Sequence, residues 1–512
     1  MKKHGSMAMT LRGSLTFAAV LFGLLATIVR AEEEASSSEW RTATPEEVGI
    51  DSGGLVEMFD YVREHSVPVH SVQIVRHGRL VLDACFHPYH ATMRHDVASV
   101  TKSITSTLIG LAIDERHLPN VSQTVLSFFP ARSAAGLDER KRKLTLEHLL
   151  TMQAGWDCGL ERKEARLFEM RRSSDWLQFM LDLPMVAEPG TRFAYCSGNP
   201  HLLSIILSQV TGTNALAFGR RELFEPLGIH DVSWPVDPRG HNHGWGDLQM
   251  HPRDMAKLGQ LFLQRGRWHD HQILSKAWIE AATRAHVERT VNRDHYGYLW
   301  WVKGEDYPGM FEAVGRGGQR INVWPAKDMV VVFTGGGFEP GDLGKFILKA
   351  LKSDEPLRAD RELLRRLQGR IAAAAKPPAS GPVTQVPAMA ALVSGKVFKL
   401  SANTLGLSTL ALQFNNPAEA EAEAIWESQR VRWRVGLDGV ERISTNTLVN
   451  LPVAGKGEWM SDDTFLLQLD LIGGINCYRF KLTFDDPVNK MSVTLSERTG
   501  LNEEQFDGVT SR

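Results

Sequence analysis

From about residue 45 to 350 apolar positions recur three and four apart, and beyond residue 388 they recur two apart. In "DVASVTKSITSTLIGLAID" (96–114), Val100, Ile104, Leu108, Leu111 and Ala112 keep helical spacing, which predicts a helix with a buried face. The same spacing predicts helices in "LTLEHLLTMQAG" (144–155), "SSDWLQFMLDL" (173–183), "HLLSIILSQVTG" (201–212) and "PRDMAKLGQLFLQRG" (252–266). "SVQIVRHGRLVLDACF" (71–86) reads instead as two strands joined at His77-Gly78. Strands return in "QRINVWP" (319–325) and "DMVVVFTGG" (328–336). Strands at both ends with helices between predict an α+β fold whose sheet joins the two ends of this region.

Residues 353–387 differ. "DEPLRADRELLRRLQGRIAAAA" is a charged helix, and "KPPASGPVTQVP" has the Pro, Gly and Ser content of a linker. After it, Val431, Trp433 and Val435 alternate with Arg432 and Arg434 before an Asp438-Gly439 turn. Tyr478, Phe480, Leu482 and Phe484 alternate in the same way, so 388–512 is expected to be a small antiparallel β-domain. Roughly 125 residues suffice for an independent core. With no candidate catalytic residue inside it, this domain is expected to fold alone and to be dispensable for cleavage of a small ester. Aromatics such as Trp433 or Trp459 would suit docking to a cell wall or surface, although both suit a β-domain core better.

At 512 residues the chain is long enough for two or more domains. Lys2, Lys3 and Arg12 precede an apolar run from Leu15 to Val29, and "VRA" ends at Ala31. That pattern predicts a cleaved signal peptide over 1–31 and a secreted or periplasmic protein, with an uncleaved signal anchor as the alternative disfavoured by the shortness of the run, and the hydrolase-sized region at 40–352. A net charge of −2 shows no basic excess and argues against a nucleic-acid partner. The four cysteines, Cys85, Cys158, Cys196 and Cys477, form neither a disulfide framework nor a CxxC site. They are expected to be mostly free and buried; a Cys158–Cys196 bridge is not deducible.

Ser99 and Lys102 stand one turn apart at the start of the first helix, on one face. A serine is a weak nucleophile unless a base takes its proton, and a lysine deprived of water parts with its proton more readily. The Ser–Lys pair is a known variant of the Ser-His-Asp logic. By itself S-x-x-K is a weak signal, since a capping serine beside a solvated lysine reads the same. The order of segments is more specific: "ASVTKSITSTLIGLAIDE", "LTLEHLLTMQAGWD", "PGTRFAYCSGNPHLLSIILSQVTG", "LFEPLGI", "HPRDMAKLGQLFLQRGRW", "YGYLWW" and "AVGRGGQRINVWPAKDMVVVFTGG". Together they resemble the serine β-lactamase-like superfamily: class C β-lactamases, D-Ala-D-Ala carboxypeptidases, esterases and aminohexanoate-dimer hydrolases. "YCS" and "GRGGQ" look most like the aminohexanoate-dimer hydrolase and esterase branch.

The resemblance implies a β-lactamase-like/DD-peptidase fold, an antiparallel sheet flanked by helices with an all-helical region. It implies Ser99 as nucleophile with Lys102, and Tyr195 of Tyr195-Cys196-Ser197 as the group that shuttles the proton. The family's second oxyanion N–H falls on Arg316, after Gly315, with Ser99 supplying the first. Where the family carries Lys-Thr-Gly this chain reads Ala313-Val314-Gly315, so the cation that binds a β-lactam carboxylate is missing. Arg316 either replaces that charge or points to solvent. Ser197 and Asp157 are further candidates for the pocket wall. "HNHGWGDLQMH" offers His241, His243 and His251 to a zinc ion, but a Gly-rich loop lining the cleft is the plainer reading. The implied activity is cleavage of a small ester or amide through an acyl-enzyme, with no metal or organic cofactor. A β-lactamase or carboxypeptidase is the alternative within the family, and a binding protein without turnover the alternative outside enzymes.

Overall fold

A computed structural model describes residues 40–132, 137–159, 164–288, 294–383, 386–448, 451–485 and 488–510. The expected signal peptide lies outside the described residues. Helices α1 (Ser52–Glu64), α2 (Val100–Asp114), α3 (Gly198–Thr211), α4 (Pro252–Leu263), α5 (Gly341–Ala350) and α6 (Arg361–Ala374) flank a sheet. Its principal strands are β1 (Val69–Arg76), β2 (Arg79–Cys85), β3 (Phe311–Gly315), β4 (Gln319–Trp324) and β5 (Met329–Gly335). They run in the order β2-β1-β5-β4-β3 and continue through three two-residue strands, 301–302, 295–296 and 287–288. Ile74 faces Val331 across the β1–β5 ladder, so the chain's early and late strands do meet in one antiparallel sheet. The β1–β2 hairpin turns at His77 and Gly78, with φ of 50° and 67°. That left-handed pair gives the turn the twist its strands need.

One face of the sheet is covered by α1, α5 and α6, with Ile50, Leu55, Phe59, Phe333, Ile347 and Leu367 in one core. The charged helix α6 is thus a layer of this core: Leu367 is buried and Arg370 ion-pairs with Asp60 on α1 at 2.8 Å. The other face carries α4 and the larger core around α2 and α3. Helix α2 is buried on every side from Val100 through Ala112, and only its N-cap, Ser99, and its C-terminal end are partly exposed.

Ten strands follow: β6 (Val397–Leu400), β7 (Leu407–Asn416), β8 (Glu419–Trp426), β9 (Gln429–Gly436), β10 (Arg442–Leu448), β11 (Leu451–Trp459), β12 (Thr464–Leu471), β13 (Cys477–Phe484), β14 (Lys490–Glu497) and β15 (Glu503–Thr510). Hydrogen-bonded neighbours are antiparallel in the order β9-β8-β7-β6-β15-β14-β13-β12-β11-β10, and a parallel bridge from Gly436 on β9 to Lys456 on β11 closes the sheet into a barrel. The period-two pattern sets its layers: Ala420, Ala422 and Ala424 point in while Glu421 and Glu423 face Arg434 and Arg432 outside. Trp433 is buried, and Trp459 packs on Phe414, Phe465 and Phe484, as core residues do.

Helix α2 tolerates no extra bulk. A Cβ on Gly110 would lie 2.4 Å from the ring of Trp278. Gly110→Ala is therefore expected to destabilise the fold by about 1–3 kcal/mol despite alanine's better helix propensity. Urea unfolding of parent and variant measures it, and equal or higher stability would refute the close packing.

Candidate active site

The site begins with a sharp turn into α2. Ala98 has φ of 47°, rare for a residue with a side chain, and its N–H donates to Asp96 Oδ1 at 2.8 Å. The turn delivers Ser99 to the N-cap of α2 with its hydroxyl in a cavity of about 720 Å³. Lys102 follows one turn later and is 2% exposed. Its Nζ donates to Ser99 Oγ at 2.7 Å and to Trp245 O at 3.0 Å. It also lies 4.8 Å from the centre of the Tyr195 ring, which stacks on Trp301 with centroids 6.0 Å apart. Tyr195 and Ser197 line the same cavity. The structure therefore gathers Ser99, Lys102, Tyr195, Ser197, Gly315 and Arg316 around one space.

Each member is held by a separate element. The end of β3 comes so near the nucleophile turn that a Cβ on Gly315 would sit 2.6 Å from Val97 O, so only glycine fits. Ser197 is held by Glu164, whose carboxylate accepts its N–H at 2.6 Å and its hydroxyl at 3.2 Å. The cysteine between Tyr195 and Ser197 is not free: Cys196 and Cys158 form a disulfide, with Cα atoms 5.7 Å apart. This corrects the expectation of mostly free cysteines; Cys85 and Cys477 remain thiols. Asp157 is not among the residues lining the cavity. Its carboxylate ion-pairs with Arg166 at 3.1 Å and accepts the Gly159 N–H at 3.0 Å.

The histidine-rich loop lines the cleft through Trp245, Gly246 and Asp247. It lies flat on α2 and α3, since a Cβ on Gly244 would overlap Pro200 O at 2.0 Å and Thr105 bonds Gly244 O at 2.8 Å. His241, His243 and His251 pair with three different carboxylates, Asp237 at 3.0 Å, Asp247 at 2.7 Å and Asp231 at 3.0 Å. They do not converge on one point, and no group of metal-ligating side chains is found among the described residues.

Two expectations about Arg316 fail together. Its guanidinium neither points to solvent nor stands free for a substrate carboxylate. It donates to Thr499 Oγ1 at 2.5 Å and Asn476 Oδ1 at 2.6 Å, both in the barrel. Ile475 and Leu501 of the barrel also line the cavity, which corrects the expectation that the C-terminal domain stands apart from the site. No local pattern marks these residues, since they lie some 160 positions from the segments they meet. Glu164 and Asp96 belong to none of the motifs of the sequence.

Asp96 and Asp247 both line the cavity. Burial raises the Asp247 carboxyl, but its hydrogen bond to His243 and the positive charges around it, those of His243 and Arg171 foremost, together outweigh that and hold it below the usual range. Burial, reinforced by the charge of Asp247, pushes Asp96 up to about 7. The folded state then keeps a proton that the unfolded chain releases near 3.8, so Asp96 costs stability as pH rises from there to about 7. Asp96→Asn retains the acceptor for Ala98 and removes the charge. It is expected to raise the melting temperature over the parent by about 2–4 °C at pH 8 and by much less at pH 5. Thermal melts at the two pH values check it, and a larger gain at pH 5 would contradict the sign.

A serine and a buried lysine one turn apart, under a sheet edge that ends in a glycine turn, define a serine-hydrolase-type site on a β-lactamase and penicillin-binding-protein-like fold. A family model described as Beta-lactamase matches residues 55–370, more than half of the chain, and the chain belongs to that family. Among curated proteins it is 24% identical over 261 residues to the 6-aminohexanoate-dimer hydrolase of Paenarthrobacter ureafaciens, covering 47% of this chain and 65% of that one. It is 28% identical over 160 residues to the monacolin J acid methylbutanoyltransferase of Aspergillus terreus, covering 28% of this chain and 38% of that one. The chain thus spans less than two thirds of the length of these relatives. Among solved structures, EstCE1, described as a hydrolase with promiscuous acyltransferase activity, superposes with a TM-score of 0.51 at 18% identity. The match covers 59% of this chain and 99% of that one and speaks for the fold.

Proposed function

We propose that the protein is an exported serine hydrolase that cleaves a small ester or amide through an acyl-enzyme on Ser99. The observation that carries this reading is the buried Lys102, whose Nζ lies 2.7 Å from Oγ of the cavity-lining Ser99 and beside the Tyr195 ring. In the reaction the neutral amine of Lys102 takes the proton of Ser99 Oγ as that oxygen attacks the substrate carbonyl carbon, and the Tyr195 hydroxyl relays the proton onward from Lys102. The carbonyl oxygen becomes an anion held by the N–H groups of Ser99 and Arg316. Collapse of this intermediate breaks the bond to the alcohol or amine, which leaves with a proton returned by Tyr195. Water then adds to the acyl ester by the same path, releasing the acid and restoring Ser99. The hydrolase named among the relatives supports this class, and the Cys158–Cys196 disulfide supports an oxidising compartment.

The substrate side favours esters or linear amides over β-lactams. Ala313, at the position of the family's lysine, is fully buried, and Arg316 is committed to the barrel. No free cation replaces that lysine at either position.

A fluorophosphonate probe followed by peptide mapping is expected to label Ser99, and Ser99→Ala should lower ester hydrolysis by several powers of ten. Lys102→Arg should be nearly as damaging as Lys102→Ala, because arginine keeps its proton. Labelling elsewhere, or an active Ser99→Ala enzyme, would remove the mechanism. A panel of p-nitrophenyl esters, aminohexanoate dimer, a D-Ala-D-Ala peptide and a chromogenic cephalosporin tests the substrate class. The expected outcome is faster turnover of an ester or linear amide than of the cephalosporin, and the reverse order would select the β-lactamase reading.

A further inference from the structure

The two oxyanion donors of the proposed mechanism come from segments more than 200 residues apart, Ser99 at the start of α2 and Arg316 in the β3–β4 turn. Donors act on a developing anion only when both stand about 2.7–3.1 Å from it, so the gap between them has to be held to a few tenths of an ångström. The β3–β4 turn is poorly suited to hold it alone. It reads Gly-Arg-Gly-Gly-Gln, with Gly317 and Gly318 at φ of 80° and 100°, where backbone freedom is greatest. Within the hydrolase part it is tied to the end of β5 and the residues just after it, where the Gly337 N–H donates to Gly317 O at 2.9 Å. Gln319 Nε2 donates to Arg316 O at 3.0 Å and to Gly335 O at 2.6 Å.

The other side is tied by the barrel. Arg316 donates to Thr499 Oγ1 at 2.5 Å and Asn476 Oδ1 at 2.6 Å, and its guanidinium lies 3.6 Å from Glu497 Oε1. The Glu497 side chain is wholly buried. Its Oε2 is taken by the Thr499 N–H at 2.9 Å, the Thr499 hydroxyl at 2.6 Å and the Leu501 N–H at 3.1 Å, which leaves Oε1 to the guanidinium. A carboxylate buried this completely needs the cation near it. The loop that carries Asn476 also reaches the start of the nucleophile turn, where Gly473 O accepts the Asp96 N–H at 2.8 Å. Ile475, between them, meets Gly317 so closely that a Cβ there would lie 2.4 Å from it.

We infer that the C-terminal barrel sets the geometry of the oxyanion hole, with the Arg316 side chain, Asn476, Thr499 and Glu497 as positioning residues. This rests on the serine-hydrolase reading above. The loop 473–476 acts as a spacer, fixed to the nucleophile turn at one end and to the oxyanion turn at the other. The barrel is then a working part of the enzyme, not an appendage, and the Arg316 side chain acts without touching substrate.

The test uses the full chain, p-nitrophenyl acetate as substrate and phenylboronic acid as a mimic of the tetrahedral anion. Arg316→Ala keeps the backbone N–H and loses the ties. It is expected to lower kcat about ten- to a hundredfold, with KM within about twofold and boronate affinity falling in step with kcat. Asn476→Ala and Thr499→Val, which each leave the guanidinium other partners, should lower kcat about threefold or more in the same manner. Asn476→Ala should add little in an Arg316→Ala background, since both break one connection. Melting curves accompany each variant. If Arg316→Ala leaves Glu497 unpaired and fails to fold, Asn476→Ala and Thr499→Val decide alone. Unchanged kcat and boronate affinity in those two folded variants, or a loss confined to KM, would overturn the inference. A wild-type enzyme whose Ser99 escapes the fluorophosphonate would instead overturn the serine-hydrolase reading itself.

Discussion

Lys102 is a lysine at 2% exposure that is held by two hydrogen bonds and by no ion pair among the described residues. Burying an amine is costly unless its N–H groups find acceptors. Ser99 Oγ and Trp245 O are those acceptors, and much of the surrounding architecture is what brings them there. Trp245 O is in place because Gly244 lets its loop lie against α3 and because Trp245 stacks with His243 and Trp176. Tyr195 adds the face of its ring. The lysine is thus stabilised by the same groups with which it would exchange a proton, and weakening any of them affects folding and chemistry together.

The sheet has a comparable economy. Its two outer hairpins come from opposite ends of the hydrolase part, and β3 is joined on its far side only by the two-residue strand 301–302. Phe311 and Glu312 take those partners, while Ala313 to Gly315 run on beyond them toward the nucleophile turn. Strand polarity that is satisfied in the middle of the sheet is therefore left over at the point where the cavity begins.

Local periodicity made much of this legible. The hairpin at 71–86, helices α2, α3 and α4, and the strands at 319–324 and 329–335 all carry their pattern within ten or fifteen residues. The Ser99–Lys102 spacing and the Tyr195 segment were legible for the same reason, as neighbours in sequence or as members of an ordered set. What escaped depends on pairs that no window contains. Helix α6 reads as a charged connector because only Leu367 and its neighbours face α1. The Arg316 contacts join residues 160 and 183 positions apart, and nothing in "GRGGQ" or around Asn476 announces them. The segment 144–155 kept only Leu146–Leu150 as helix; Met152 adopts φ of 57° and Gly155 φ of 85°, and the chain turns off toward Trp156.

The disulfide between Cys158 and Cys196 sits inside the three-residue segment that carries Tyr195 and Ser197. It binds that segment covalently to the loop running through Trp156 and Gly159, beside Glu164, which holds Ser197. A crosslink in such a place makes the history of a sample matter. Material produced in a reducing host would have every secondary-structure element and yet lack one fastening of the tyrosine segment, so two preparations with matching mass, helicity and sheet content could differ in specific activity. For this molecule a thiol count is as necessary a measure of correct assembly as a spectrum.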